Sequence, residues 1–161
     1  MIVWSYQNER IKMRYLLYVC CLALVACQKP LKDIKNVNIN PDFEEYVNRF
    51  FAYGQAQGRS MVLDNLYMEY SYKLEGTTTL GECEYHESYT PTVRIQRTYF
   101  GASGDLGREQ LIFHELGHCL LGRDHDMNIT GFVPESIMYP YAFSISIYQQ
   151  YHNHYIQELF Q

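Results

Sequence analysis

From residue 40 onward the apolar positions fall into blocks whose period changes from helix to strand and back. Phe43, Tyr46, Val47, Phe50 and Phe51 recur every three to four residues and so share one face of a helix. Asn40-Pro41 supplies its start, Asn as cap and Pro at the first helical position. Gly54 and Gly58 bracket its end. Over residues 66–74 the pattern turns to alternation: Leu66, Met68, Tyr70 and Tyr72 would share one face of a strand. Gly76 and the following threonines mark a turn, and Leu80–Tyr85 forms a second, shorter strand suited to a sheet edge. Thr92–Phe100 alternates again, with Val93 and Ile95 on one face, and makes a third strand.

Residues 101–105 read as a loop, with Ser103 or Asp105 as the cap of the next helix. That helix spans Asp105–Leu121 and carries enough apolar surface (Leu106, Leu111, Phe113, Leu120, Leu121) to be buried. Gly122 ends it, because Gly takes the left-handed conformation at little cost. Ser144–Phe160, with Ile147, Tyr148, Tyr151, Tyr155, Ile156 and Leu159, reads as a C-terminal packing helix. A few strands among three helices predict an α+β domain with a small, twisted, mixed sheet.

The chain of 161 residues suggests one folded domain. Residues 1–27 do not belong to it by this reading. Arg10, Lys12 and Arg14 precede an apolar run, Tyr15–Ala26, too short for a comfortable membrane span. The run ends in Leu24-Val25-Ala26-Cys27, which resembles a bacterial lipobox. That resemblance implies cleavage before Cys27, lipidation of Cys27 and tethering to a membrane. Met13 would make a more typical start for such a signal than Met1, and an uncleaved anchor is the other reading. Residues 28–39 are polar and read as a tether, leaving residues 40–161 as the domain.

Charge and cysteine content narrow the picture. A net charge of −5 offers no basic surface for nucleic acid. Two of the five cysteines, Cys20 and Cys21, fall within the signal and Cys27 would carry lipid. Cys83 and Cys119 remain, and an exported domain with two cysteines is a candidate for one disulfide. Two buried thiols are the alternative.

The candidate chemistry lies on the central helix. His114-Glu115-Leu116-Gly117-His118 is an H-E-x-x-H motif. Histidines at i and i+4 lie one turn apart on one face, where a zinc ion can bridge them. Glu115, beside the first, suits the role of general base for an attacking water. Gly122 lets the chain swing back, so that His125 can approach as a third ligand. His86, His152 and His154 suit surface or packing roles better than metal binding.

A second motif follows at Pro134-Glu135-Ser136-Ile137-Met138-Tyr139-Pro140. Together the two motifs resemble those of the metzincin zinc metallopeptidases, and the chain is similar to metalloprotease lipoproteins of Gram-negative bacteria. The Ser-Ile-Met-Tyr-Pro stretch is similar to the Met-turn of the matrixin branch. The resemblance covers residues 93–143. It implies a zincin fold, a zinc cofactor, and Met138 as a hydrophobic base beneath the metal. It also implies that Tyr139 and Tyr141 line a substrate pocket. Leu80–Tyr85 would then bind an extended peptide by strand addition.

The metzincin signature reads H-E-x-x-H-x-x-G-x-x-H. This sequence carries one more residue before the Gly. Two assignments of the third ligand follow: His125, which keeps the Gly-x-x-His spacing, or Asp124 in the unshifted register. Asp124 or Asp126 could alternatively orient a ligand imidazole.

The expected function is a monomeric zinc metalloendopeptidase acting on a peptide or protein substrate. It would be anchored by lipid to the outer membrane of a Gram-negative bacterium. The alternative is a noncatalytic, zinc-stabilised binding lipoprotein at the cell surface.

Overall fold

The computed structural model describes residues 36–87 and 89–161. The targeting segment with Cys27, and the tether up to residue 35, lie outside the described residues. Among the described residues the fold is α+β, with five helices, a four-stranded mixed sheet and a small two-stranded one.

The first helix, α1 (Pro41–Ala56), starts as its sequence predicts. Asn40 Oδ1 accepts the Asp42 N–H at 3.0 Å, and Pro41 needs no such partner. Its stripe buries Phe43, Tyr46, Val47 and Phe50. Phe43 meets Phe100 edge-on at 5.1 Å, and Phe50 meets Phe113 at 5.3 Å. Each such ring contributes about 1.5–3 kcal/mol through burial.

The main sheet has the order β1-β2-β4-β3. Its strands are β1 (Asn36–Ile39), β2 (Asn65–Tyr70), β3 (Gly81–Glu84) and β4 (Thr92–Ile95). The first three in spatial order run parallel, and β3 joins antiparallel at the edge. Leu66, Met68, Val93 and Ile95 are buried. The opposite face carries charge: Arg94 bonds Glu69 and Glu82 at 3.3 Å and Glu84 at 2.7 Å. These exposed pairs keep that face wet and add little stability.

Several boundaries differ from the sequence reading. Asn36–Ile39, assigned to the polar tether, is a strand parallel to β2. Its side chains are mostly exposed, and four residues, Asn-Val-Asn-Ile, are too few for their alternation to stand out from the polar stretch before them. The strand expected over 66–74 ends at Tyr70, and Tyr72 points into solvent. The strand expected over 92–100 ends at Ile95, and Arg97–Ala102 forms a short helix, α2. Gln96 makes that break. Its N–H donates to Leu80 O at 2.8 Å, and its buried amide donates to the carbonyls of Leu74, Thr77 and Thr79. The chain turns out of the sheet there, and the loop leading into β3 is pinned.

The central helix, α3, runs Asp105–Leu121 as expected. Its cap is Gly104, not Ser103 or Asp105, and no side chain caps it. Asp105 is engaged elsewhere: it accepts from Tyr46 OH at 3.1 Å and from Arg49. The C-terminal segment is two helices, α4 (Ile145–Gln150) and α5 (His152–Leu159), broken at Tyr151. A short hairpin of β5 (Ile129–Thr130) and β6 (Val133–Pro134) precedes them. The sequence reading does not predict it, and its tip residue Phe132 is 94% exposed.

One buried ion cluster ties α1, α3 and the C-terminal helices together. Glu109 accepts from Arg49 Nη1 at 3.1 Å, Tyr148 OH at 3.0 Å and His152 Nε2 at 2.7 Å. A buried carboxylate needs such partners. They show His152 in a packing role.

Candidate metal centre

Helix α3 brings His114 and His118 to one face, one turn apart. Their Nε2 atoms lie 3.2 Å from each other. Each ring is held from behind by a backbone carbonyl. His114 Nδ1 meets Ile137 O at 2.9 Å, and His118 Nδ1 meets Arg123 O at 2.6 Å. A carbonyl can only accept, so both Nδ1 atoms carry the proton. In neutral rings the two Nε2 atoms therefore face each other as bare lone pairs. Burial disfavours the charged form of both rings: it holds His114 down at about 4 and lowers His118 as well.

His125 completes the group. Its ring centroid lies 4.7 Å from that of His118 and 5.3 Å from that of His114. One nitrogen from each of the three rings lies within 4.8 Å of the others. Asp124, the alternative third ligand, is exposed and is not part of this group. The turn that returns His125 is the one Gly122 permits. Gly122 has φ 63° and ψ 27°, and Arg123 N–H closes the helix end on Gly117 O at 3.0 Å. The same turn sets the Arg123 carbonyl against His118.

The donor set fits a divalent cation such as zinc. Two nitrogens at 2.0–2.1 Å from a tetrahedral ion stand roughly 3.3 Å apart, close to the 3.2 Å seen here. Two unprotonated acceptors at that separation repel unless positive charge lies between them. Carbonyls placed so behind the rings would fix the tautomer of a metal-binding histidine.

The turn at Ser136–Tyr139 lies against the helix. Met138 is fully buried, and a Cβ at Gly117 would come within 2.5 Å of its sulfur. Only a residue without a side chain at 117 allows that contact. Ile137 supplies the carbonyl behind His114. Ser136 Oγ accepts the Met138 N–H at 3.0 Å and donates to Glu158 at 2.7 Å. Glu158 also pairs with Arg123. The loop behind His118 and the turn behind His114 are thus joined through one carboxylate on α5. Sequence reasoning missed Arg123 and Glu158, whose only signal is a pair of opposite charges 35 residues apart.

Glu115 is buried beside the group. Burial, then the negative charge of Glu82, raise its carboxyl to about 8. It lies against β3, since a Cβ on Gly81 would come within 2.6 Å of its Oε1.

A cleft of about 830 Å³ opens over these residues. Residues 78–83, one face of α3 (Gln110, Leu111, His114, Glu115 and His118), Ile137 and residues 139–143 contribute to its walls, with Tyr99 and His125. Tyr139 and Tyr141 both line it, and their rings stack edge-on at 5.6 Å. Strand β3 borders it, and as the last strand of the sheet it has one edge that is unpaired among the described residues. The structure bonds Cys83 to Cys119, with Cα atoms 5.6 Å apart, so this edge strand is tied to the residue after His118. His86 and His154 stand apart from the group, His86 exposed and His154 bonded to Glu135 O at 2.9 Å. No family model, no curated protein and no solved structure matches this chain.

Proposed function

We infer that the chain is a zinc-dependent metallopeptidase with a metzincin-like arrangement of its site. The observation that carries this reading is the pair of bare Nε2 atoms 3.2 Å apart with His125 beside them. Such a set has no use in a packed core, where facing acceptors only cost energy.

His114, His118 and His125 would hold the ion. When bound, zinc supplies a Lewis acid that polarises a carbonyl and acidifies water at neutral pH. The rest falls to the chain. Glu115 accepts a proton from the attacking water and delivers it to the departing amine. Its burial keeps it basic enough to do so, and positive charge at the histidine site favours its carboxylate form. The unpaired edge of β3 offers backbone groups to an extended peptide. Ile137 and Arg123 keep the two histidine rings oriented through their carbonyls. Met138, buried against Gly117, would serve as an apolar base beneath the histidines.

A purely structural zinc site has no need of a buried carboxylate next to an 830 Å³ cleft. That favours catalysis over a binding role. The disulfide is compatible with an exported protein, in keeping with the lipid-anchored location inferred from residues 24–27.

The test combines metal analysis with a peptide digest. The purified chain should carry one zinc per molecule and cleave peptides, and Glu115→Ala should keep the zinc but lose cleavage by at least about a hundredfold. A chain that binds no zinc, or whose Glu115→Ala variant cleaves undiminished, would overturn the reading.

A further inference from the structure

The cleft contains a polar group that the chemistry above does not use. Gln110 lies on α3 four residues before His114, so both project from the same helix face, about 6 Å apart along the axis. Its side chain lines the cleft, yet the residue is only 6% exposed. Among the described residues its Nε2 has no hydrogen-bond partner. An amide buried this way is unfavourable, and nearly all buried polar groups find a partner. The other such atom among the described residues, Asn65 Oδ1, belongs to a residue at the start of β2 that does not line the cleft.

Resting on the peptidase reading, we propose that Gln110 selects a peptide with a carboxamide side chain, glutamine or asparagine, next to the scissile bond. One helical turn separates Gln110 from the histidine site, which is the reach of a side chain flanking the bond to be cut. The terminal torsion of a Gln side chain is soft, so the amide can turn its NH2 into the cleft. A substrate amide offers the acceptor that Nε2 lacks and a donor for Gln110 Oε1. Lysine and arginine side chains have no acceptor to give. A carboxylate would lose its water in a cleft lined by Leu111, Ile137 and Phe143. An aliphatic side chain would fill the space and leave Nε2 unpaired. A site built to hydrogen-bond its substrate rejects an isostere that lacks the group more strongly than an apolar pocket rejects an extra methylene.

The experiment has two arms. In the first, the zinc-loaded full chain digests a peptide library randomised around the cut, and the products are sequenced. Glutamine or asparagine should be enriched about tenfold over leucine at one position flanking the cut. In the second, the Glu115→Gln chain binds fluorescent peptides that differ only there, with Gln, Leu or Glu, and affinity is read by anisotropy. The Gln peptide should bind about tenfold tighter than the Leu peptide, and adding Gln110→Leu should abolish or reverse that ratio. Cleavage with leucine enriched, or a binding ratio unmoved by Gln110→Leu, overturns the selection by Gln110 and leaves the peptidase reading standing. Neither cleavage nor binding of any peptide overturns both.

Discussion

Gly81 on the edge strand lies so close to Glu115 on the central helix that a single methyl at 81 would come within 2.6 Å of Oε1 and 2.8 Å of Cδ and Cγ. The Glu115 side chain is buried, and its Cγ as well as its carboxyl lies in the path of that methyl. Gly81→Ala should therefore displace Glu115 while leaving the three histidines in place. We expect a ten- to hundredfold loss of kcat/KM, the scale on which misplacing a reacting group by about 1 Å acts, with zinc content unchanged. Full activity in the Gly81→Ala chain would show that the contact relaxes at no functional cost.

Gly122 links helix geometry to metal affinity. An alanine there must adopt φ near +63°, at roughly 1–2 kcal/mol. Relief of that strain would pull the Arg123 carbonyl away from His118 Nδ1. Gly122→Ala should lower the melting temperature and weaken zinc binding about ten- to a hundredfold, as the loss of an outer partner to a ligand does. Competition with a chromophoric chelator measures the second effect.

The disulfide closes a loop of 36 residues between the edge strand and the helix that carries His114 and His118. Replacing both Cys83 and Cys119 by serine should cost about 3–4 kcal/mol by the chain-entropy relation. Denaturant unfolding of the oxidised chain against the double variant reads this directly. An unchanged unfolding midpoint would mean that the bond constrains little.

The metal-free protein should have an unusual pH profile. Glu115 is raised from its ordinary value near 4.5 to about 8, so the folded chain holds a proton that the unfolded chain has lost. Stability from this group falls as pH rises from 4.5 to 8. His114 is lowered from 6.5 to about 4, so its neutral form is favoured in the fold, and stability falls as pH drops below 6.5. The two oppose each other between 4.5 and 6.5. Between 6.5 and 8 only Glu115 acts, and the metal-free chain should lose roughly 1–2 kcal/mol. Glu115→Gln should flatten that slope in thermal melts, and a slope that survives the substitution would assign it elsewhere.

Much of this architecture was legible because it is periodic. The apolar stripe of α1, the long run of α3 and the alternation around Leu66 and Val93 each follow from a face that must be buried. The His114, Glu115 and His118 spacing is likewise a property of one helix, and Gly122 is readable because few residues tolerate its backbone. What the sequence could not decide was everything set by distant neighbours. Strand β1 alternates over only four residues, and its pairing with the distant β2 is what makes it a strand. Gln96 ends β4 by bonding carbonyls 17 to 22 residues away, which no local window contains. The grouping of His125 rather than Asp124 with the two helix histidines depends on the path of the loop after Gly122. Asp126 N–H bonds Met138 O at 3.0 Å along that path, and Arg123 is tied to Glu158 on the last helix. Local periodicity determined which elements form, because burying a face is a local constraint. Long-range hydrogen bonds and close packing decided where those elements stop and which side chains meet in the cleft.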